Sequence, residues 1–155
     1  MDDLSKEDRH KNMQNIRSKN TVPELLVMNE LKKRKIYFAK HVNKIFGNPD
    51  IVFRRKKVIV FIDSDFWHCN PKKFIMPATN IEYWEKKIQR NIKRDKLVNK
   101  TLKKVGWHVV RFWESDIKKD TNKVVNKIVK TLALNGAVSR SMKTSAKALN
   151  VRLCS

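Results

Sequence analysis

Glycine, proline and cysteine are scarce in this chain: 3, 4 and 2 of 155 residues. Such low glycine and proline contents exclude collagen-like and Gly/Pro-rich low-complexity chains. Two cysteines, Cys69 and Cys154, cannot build a disulfide framework, so a reducing compartment is expected. No apolar run approaches the length of a membrane span, and residues 1–8 have no signal-peptide character, so the expectation is a soluble intracellular protein. Acids are also few. The chain has 15 Asp plus Glu against 36 Lys plus Arg, a formal charge of +21. What is present, 41% hydrophobic residues in a chain of this length, suits one buried core.

A domain this basic repels itself unless it meets a polyanion, which makes nucleic acid the leading partner. A lysine-rich genome accounts for part of the excess. An anionic membrane surface fits less well, because no basic amphipathic helix carries a broad aromatic face.

Residues 1–20 form a polar arm of mixed sign whose clear apolar pair is Met13 and Ile16. Residues 21–135 form the folded core, and residues 136–155 a basic tail with Arg140, Lys143, Lys147 and Arg152. Within the core, Thr21-Val22-Pro23-Glu24 reads as a capping box opening a helix to about residue 35. Its inward stripe is Val27, Met28 and Leu31, and Glu24 faces the same way. Residues 37–42 are a strand candidate. Asp50-Ile51-Val52-Phe53 and Val58-Ile59-Val60-Phe61-Ile62, joined by the basic Arg54-Arg55-Lys56-Lys57, read as an antiparallel hairpin whose second strand is buried on both faces. Thr79-Asn80-Ile81-Glu82 reads as a second capping box, opening a long helix that stops near Gly106. Ile81, Trp84, Ile88, Ile92, Val98, Leu102 and Val105 mark its inward stripe, with Asn91 and Asp95 on or beside it. A strand over residues 107–113 and a helix over 122–134 follow. Helix, strand, hairpin, helix, strand, helix implies one α/β arrangement: a mixed central sheet flanked by helices.

The acids fall where chemistry could use them. Asp50 begins one hairpin strand and Asp63 ends its neighbour, so two carboxylates can share a corner of the sheet. Hard oxygen donors of this kind suit Mg²⁺, and a cation held there polarises a phosphodiester and activates water. Asp50 alone, after Pro49, reads equally well as a turn former; the pair with Asp63 is harder to explain so. Phe66-Trp67-His68 follows at once. Its aromatics are either core residues, the commoner fate, or wedges between bases, which unstack a step at roughly a few kcal/mol. Ser64 and Asp65 beside them argue for an exposed loop. His68 suits a general acid or base, since an imidazole titrates near working pH. Glu24 and Asp95 are either structural ion-pair partners or the groups that orient His68 and metal-bound waters.

Taken together, several blocks resemble the very short patch repair (Vsr) DNA mismatch endonucleases, in the right order from about Arg9 to Ile117. They are Arg9-His10-Lys11-Asn12-Met13, Thr21-Val22-Pro23-Glu24, Asn48-Pro49-Asp50-Ile51-Val52-Phe53, Val60-Phe61-Ile62-Asp63-Ser64-Asp65-Phe66-Trp67-His68, Pro77-Ala78-Thr79-Asn80-Ile81-Glu82-Tyr83-Trp84, Lys87-Ile88-Gln89-Arg90-Asn91-Ile92-Lys93-Arg94-Asp95 and Gly106-Trp107-His108-Val109-Val110-Arg111-Phe112-Trp113-Glu114. The resemblance implies a single-domain restriction-endonuclease-like fold of the PD-(D/E)xK kind and a Mg²⁺-dependent nick on the 5′ side of the thymine in a T:G mismatch, in repair of deaminated 5-methylcytosine. It implies Asp50 and the backbone carbonyl of Ile62 as metal ligands, His68 as the catalytic histidine, and Glu24 and Asp95 as its support. Phe66, Trp67 and Trp84 would wedge the duplex from one groove and Met13 and Ile16 from the other, with Lys87 and Asn91 near the mismatch. It also implies a monomer in the bacterial cytoplasm, at the nucleoid, with MutL-type proteins as partners.

Departures from the family pattern carry their own expectations. Its best-studied form has histidine at the position of Asp63 and threonine at that of Ile62, so Asp63 would add a carboxylate ligand. Ser64 replaces a glycine, which would strain the turn. Asp65 and Ser115 replace cysteines of a structural zinc site, and Cys69 alone makes no tetrahedral set, so no zinc is expected. Two other readings stay in play: a restriction-type endonuclease without mismatch preference, and a non-catalytic DNA-binding protein.

Overall fold

The computed structural model describes residues 5, 7–8 and 19–152, and side-chain surroundings as far as residue 136. Helix α1 spans Val22–Lys33, and strands β1, β2 and β3 span Ala39–Lys40, Ile51–Phe53 and Val58–Asp63. Helix α2 spans Ile81–Lys104, β4 His108–Trp113, α3 Glu114–Lys119 and α4 Thr121–Arg152. The strands form one sheet in the order β1-β2-β3-β4. β1–β2 and β2–β3 pair antiparallel, and β3–β4 pair parallel, with α2 as the crossover. This is the expected α/β architecture, a mixed central sheet flanked by helices of the restriction-endonuclease-like kind. Among the described residues no helix is long and apolar enough to cross a membrane.

Side chains alternate across a strand, and that alternation builds two cores. Ile51, Phe53, Val58, Val60 and Phe112 face Val27, Met28 and Leu31 of α1, Ile117 of α3, and Val124, Val125, Ile128 and Leu132 of α4. Val52, Ile59 and Phe61 face the other way, onto Val98 and Leu102 of α2. The same alternation sends Asp50 to the side of Val52, Asp63 to that of Phe61, and Arg111 to that of Val109. All three polar groups therefore emerge beneath α2.

The hairpin link Arg54–Lys56 is a 3-10 turn closed by Lys57 in the left-handed region (φ 55°). Several expectations needed correction. The strand over 37–42 shrinks to Ala39–Lys40, because Tyr37 is 94% exposed and has nothing to pack on. Neither capping box forms. Thr21 donates its hydroxyl to Glu24 Oε1 instead of accepting a backbone N–H, and Asn80, not Thr79, precedes α2, in the left-handed region (φ 54°). Ile81 and Val105, assigned to the inward stripe of α2, are exposed, since the helix overruns the sheet at both ends. α3 went unread because it is only six residues long. Helix α4 continues through Gly136 to Arg152, where a tail was expected to begin.

Candidate active site

Asp50 sits at the mouth of β2, beneath α2. Its Oδ2 accepts the backbone N–H of Ile62 at 2.7 Å, tying the start of one hairpin strand to the end of the next. Burial drives its carboxyl up to about 7, against the pull of the Ile62 N–H and with Glu24 and Asp63 adding negative charge. A carboxyl that is uncomfortable when ionised is a group prepared for a cation. Continuing the Ile51↔Val60 register sets Pro49 opposite Ile62, and proline has no N–H to offer the Ile62 carbonyl.

Glu24 is 3% exposed in the first turn of α1. Its Oε2 accepts the Asn20 N–H at 2.8 Å and its Oε1 the Thr21 hydroxyl at 2.9 Å. His41 Nε2 stands 3.4 Å from Glu24 Oε2. One donor atom each from Glu24, His41 and Asp50 lie within 4.8 Å of one another. Nothing in the sequence pattern pointed to His41; it follows a two-residue strand and belongs to no spaced motif.

The second half of the site is a charge network. His68 Nδ1 is 2.6 Å from Asp95 Oδ2 on α2 and 3.8 Å from Asp63 Oδ1. Arg111 on β4 donates from its terminal nitrogen to Asp63 Oδ1 at 2.7 Å, from Nε to Asn99 Oδ1 at 2.9 Å, and approaches Asp95 Oδ1 at 3.5 Å. Its guanidinium also lies 4.4 Å from the Phe61 ring centroid. Burial alone would lower the His68 pKa, but the Asp95 bond and the nearby Asp63 charge hold it above the ordinary value. Asp95 is pushed up by burial, but His68, Arg111 and Arg94 together hold its carboxyl below the usual range. Asp63 is raised by burial, against the pull of His68 and Arg111.

An ionised Asp95 assigns the Nδ1 proton to the hydrogen bond and leaves Nε2 as the ring nitrogen free for proton transfer. Arg111 was missed in the sequence reading, although a guanidinium inside the apolar run Val109-Val110-Arg111-Phe112 was a readable signal of a buried acidic partner.

Phe66, Trp67 and Trp84 pack together, with centroids 5.0 Å (Phe66–Trp67), 5.4 Å (Phe66–Trp84) and 6.0 Å (Trp67–Trp84) apart. Each stays half-exposed, and none joins either core cluster. Lys87 Nζ sits 4.7 Å from the Trp67 centroid, within cation–π range. Asn91 donates Nδ2 to the Trp67 carbonyl at 3.1 Å, fixing the loop under α2. A cleft of about 550 Å³ joins the two halves, and Glu24, His41, Asp50, Trp67, His68 and Asp95 all line it. Met13 and Ile16 lie outside the described residues.

Ser64 shows no strain of the expected sort. It is not among the positive-φ residues, and its hydroxyl donates to Glu114 Oε1 at 3.0 Å. Asp65 and Ser115, at the positions of the family's cysteines, are joined directly: Ser115 Oγ donates to Asp65 Oδ1 at 3.0 Å, as does Asn70 Nδ2 at 2.7 Å. Hydrogen bonds thus span the gap between this loop and α3.

Comparison with known proteins places the chain among relatives. Residues 1–73 match the family model described as DNA mismatch endonuclease Vsr. The chain is 40% identical to type II nicking enzyme V.NmeDIP of Neisseria meningitidis serogroup C, over 83% of this chain and 88% of that one. It is 38% identical to type II nicking enzyme V.HpaIIP of Haemophilus parainfluenzae, over 85% and 96% respectively. To the DNA mismatch endonuclease Vsr of Escherichia coli (strain K12) it is 32% identical, over 68% of this chain and 69% of that one. With this cleft and these relatives, the chain belongs to the Vsr family of endonucleases.

Proposed function

We propose that this endonuclease nicks one strand of duplex DNA on the 5′ side of the thymine in a T:G mismatch, in a Mg²⁺-dependent reaction that serves repair of deaminated 5-methylcytosine. The observation that carries the reading is the shared cleft: a buried, cation-hungry carboxyl at Asp50, a histidine poised by Asp95, and the half-exposed Trp67 ring, on which Phe66 and Trp84 pack. The relatives, nicking enzymes and a mismatch endonuclease, support the same chemistry.

The residues fit a divalent cation. Asp50 and the Ile62 carbonyl would hold it, with Glu24 anchored beside them by Asn20 and Thr21. When bound, such a cation supplies the positive charge that a phosphodiester needs as negative charge builds on its oxygens. His68 moves a proton at Nε2 while Asp95 holds Nδ1. Asp63, expected as a further ligand, has Oδ1 engaged by Arg111. Its role in this reading is to share that guanidinium with Asp95 and so fix the wall on which His68 leans. Phe66, Trp67 and Trp84 form the wedge, and Lys87 brings a cation to the DNA side of the rings. Mismatched pairs open most cheaply to such a wedge. The reading includes a monomer acting at the bacterial nucleoid, with MutL-type proteins as accessory partners.

The test uses end-labelled duplexes, one with T:G and one fully paired, incubated with Mg²⁺ or EDTA. Single-strand cleavage confined to the T:G duplex with Mg²⁺ is the expected result. Equal cleavage of both duplexes favours a restriction-type activity without mismatch preference, and binding without cleavage removes the nuclease reading.

A further inference from the structure

We infer that His41 is a third protein donor to the cation at Asp50, beside the Ile62 carbonyl, and that its nitrogen makes the site prefer Mn²⁺ and other transition cations to Mg²⁺. The inference rests on the proposed reading of Asp50 as a cation ligand.

Backbone pairing puts His41 there. Lys40 pairs with Ile51 in the β1–β2 ladder, and the next N–H along, that of His41, donates to the Asp50 carbonyl at 3.1 Å. The histidine and the aspartate therefore leave the sheet edge side by side. His41 takes a left-handed backbone (φ 47°), so the chain turns here instead of extending β1.

The imidazole is well placed but weakly engaged. Nε2 faces two oxygen acceptors, Asn20 Oδ1 at 3.2 Å and Glu24 Oε2 at 3.4 Å, both at or past the long end of N–H···O bonds. The side chain is 12% exposed and lines the same cleft as Asp50 and His68. Donor atoms of Glu24, His41 and Asp50 already lie within 4.8 Å of one another. Two donors bound to one ion at about 2.1 Å each stand roughly 3.0 Å apart in adjacent positions and roughly 4.2 Å apart in opposite ones, so closure needs side-chain shifts of no more than roughly 2 Å, within reach of rotamer adjustment. Glu24 cannot drift to meet the ion, being held by Asn20 and Thr21, and so defines the wall against which His41 and Asp50 close.

Donor chemistry then sets the selectivity. A purely carboxylate and carbonyl site suits Mg²⁺ and Mn²⁺ alike, whereas an imidazole nitrogen favours the transition cations. His41 supplies the borderline donor that the Asp50–Ile62 pair lacks.

Pulsed EPR of Mn²⁺ bound to the full chain without DNA tests the assignment directly. The expected spectrum shows ¹⁴N coupling from a coordinated imidazole. His41→Gln should keep Mn²⁺ through Asp50 but lose that coupling, weakening Mn²⁺ about tenfold while Mg²⁺, measured by competition, changes by less than about threefold. Far-UV circular dichroism confirms that the variant is folded; if it is not, His68→Gln decides the matter, since coupling from His41 should persist in it and its loss there would overturn the inference. Bound Mn²⁺ without ¹⁴N coupling, or coupling that survives in His41→Gln, overturns the inference alone. A wild-type chain that holds no Mn²⁺ overturns it together with the cation reading beneath it.

Discussion

On the face of the sheet covered by α1, α3 and α4, the strands contribute Ile51, Phe53, Val58, Val60 and Phe112 to a continuous apolar layer. On the face under α2, the same strands present Val52, Ile59 and Phe61 but also Asp63 and Arg111, with Asp50 at the edge. The difference is graded along α2. Toward its C-terminus, Val98 and Leu102 close a small core, while Asp95 and Asn91, one and two turns earlier, line the cleft, and Trp84 and Lys87 at its N-terminal end carry the aromatic cluster. One face therefore supplies stability, and the other gives up part of its packing to hold charges that are costly to bury unless a partner compensates them. The contrast teaches where a substitution should separate folding from activity.

Asp50→Asn should separate them most sharply. Loss of the carboxylate removes a cation ligand, and nicking should fall by roughly 10³-fold, the several kcal/mol such a ligand is worth. Stability of the cation-free protein should move the other way. The Asp50 carboxyl is raised from 3.8 to about 7, so its contribution is complete below pH 3.8 and is lost as pH rises through about 7. Asparagine carries no such penalty and still accepts the Ile62 N–H. In EDTA the variant should therefore gain on wild type between pH 4 and 7 and stay ahead above, by up to about 4 kcal/mol. Melting curves across that range check it; equal pH profiles for the two proteins would show that Asp50 is not desolvated as described.

Next in size is a matched pair of core truncations. Ile128→Ala removes a fully buried side chain from the apolar face, and Leu102→Ala one from beneath α2. Each should cost about 2–5 kcal/mol in urea unfolding. Only Leu102→Ala should also slow nicking per folded molecule, because it loosens the helix that carries Asp95. Equal activity in both would mean that the cleft does not depend on how α2 is seated.

How much of this was legible follows the same divide. The apolar face could be read because its information is local: the continuous run Val58-Ile59-Val60-Phe61-Ile62 and the helical stripe Val27, Met28, Leu31 each announce burial. Asp50, His68, Asp95 and Glu24 stood out by their places at a strand end, in a loop and on helix stripes, and all four line one cleft. Their partners were not found, since Arg111 reaches Asp63 across 48 positions and His41 reaches Glu24 across 17, separations that no periodicity encodes. Element ends failed for a related reason. The length of β1 and of the α2 stripe depends on where the neighbouring sheet stops, so Tyr37, Ile81 and Val105 carry apolar side chains with nothing to cover them.

The His68–Asp95 pair should give a smaller effect with a defined pH window. His68 is raised above 6.5, so its contribution is complete below that value and is lost as pH rises through the raised pKa. Asp95 is held below 3.8, so its contribution is complete above 3.8 and is lost as pH falls through the lowered pKa. Both are fully present only between 3.8 and 6.5. Asp95→Asn should thus destabilise by about 1 kcal/mol at pH 5, less than the roughly 1.5–3 kcal/mol of a buried charge-assisted bond because solvent screens this partly exposed site, and by less still at pH 9. A pH-independent loss would assign the effect to packing.

The smallest effect in stability concerns the rim, where the open face meets solvent. Lys87 lies over Trp67 and also within 5.6 Å of Tyr83 and Trp84. A cation–π contact at so exposed a site is worth about 0.5–1 kcal/mol, and methionine keeps much of the contact area, so Lys87→Met should shift unfolding by no more than about 0.5 kcal/mol. Its effect on DNA separates two roles. A lysine that pairs with a phosphate should, when lost, lower the slope of log K against log salt by about one and weaken T:G and paired duplexes alike. A lysine that instead steadies the rings as a wedge should leave the salt slope intact and weaken only the T:G duplex, because only there do the rings enter the stack. Titrating both duplexes at several salt concentrations decides between the two, and unchanged binding under every condition would remove Lys87 from the DNA-facing rim.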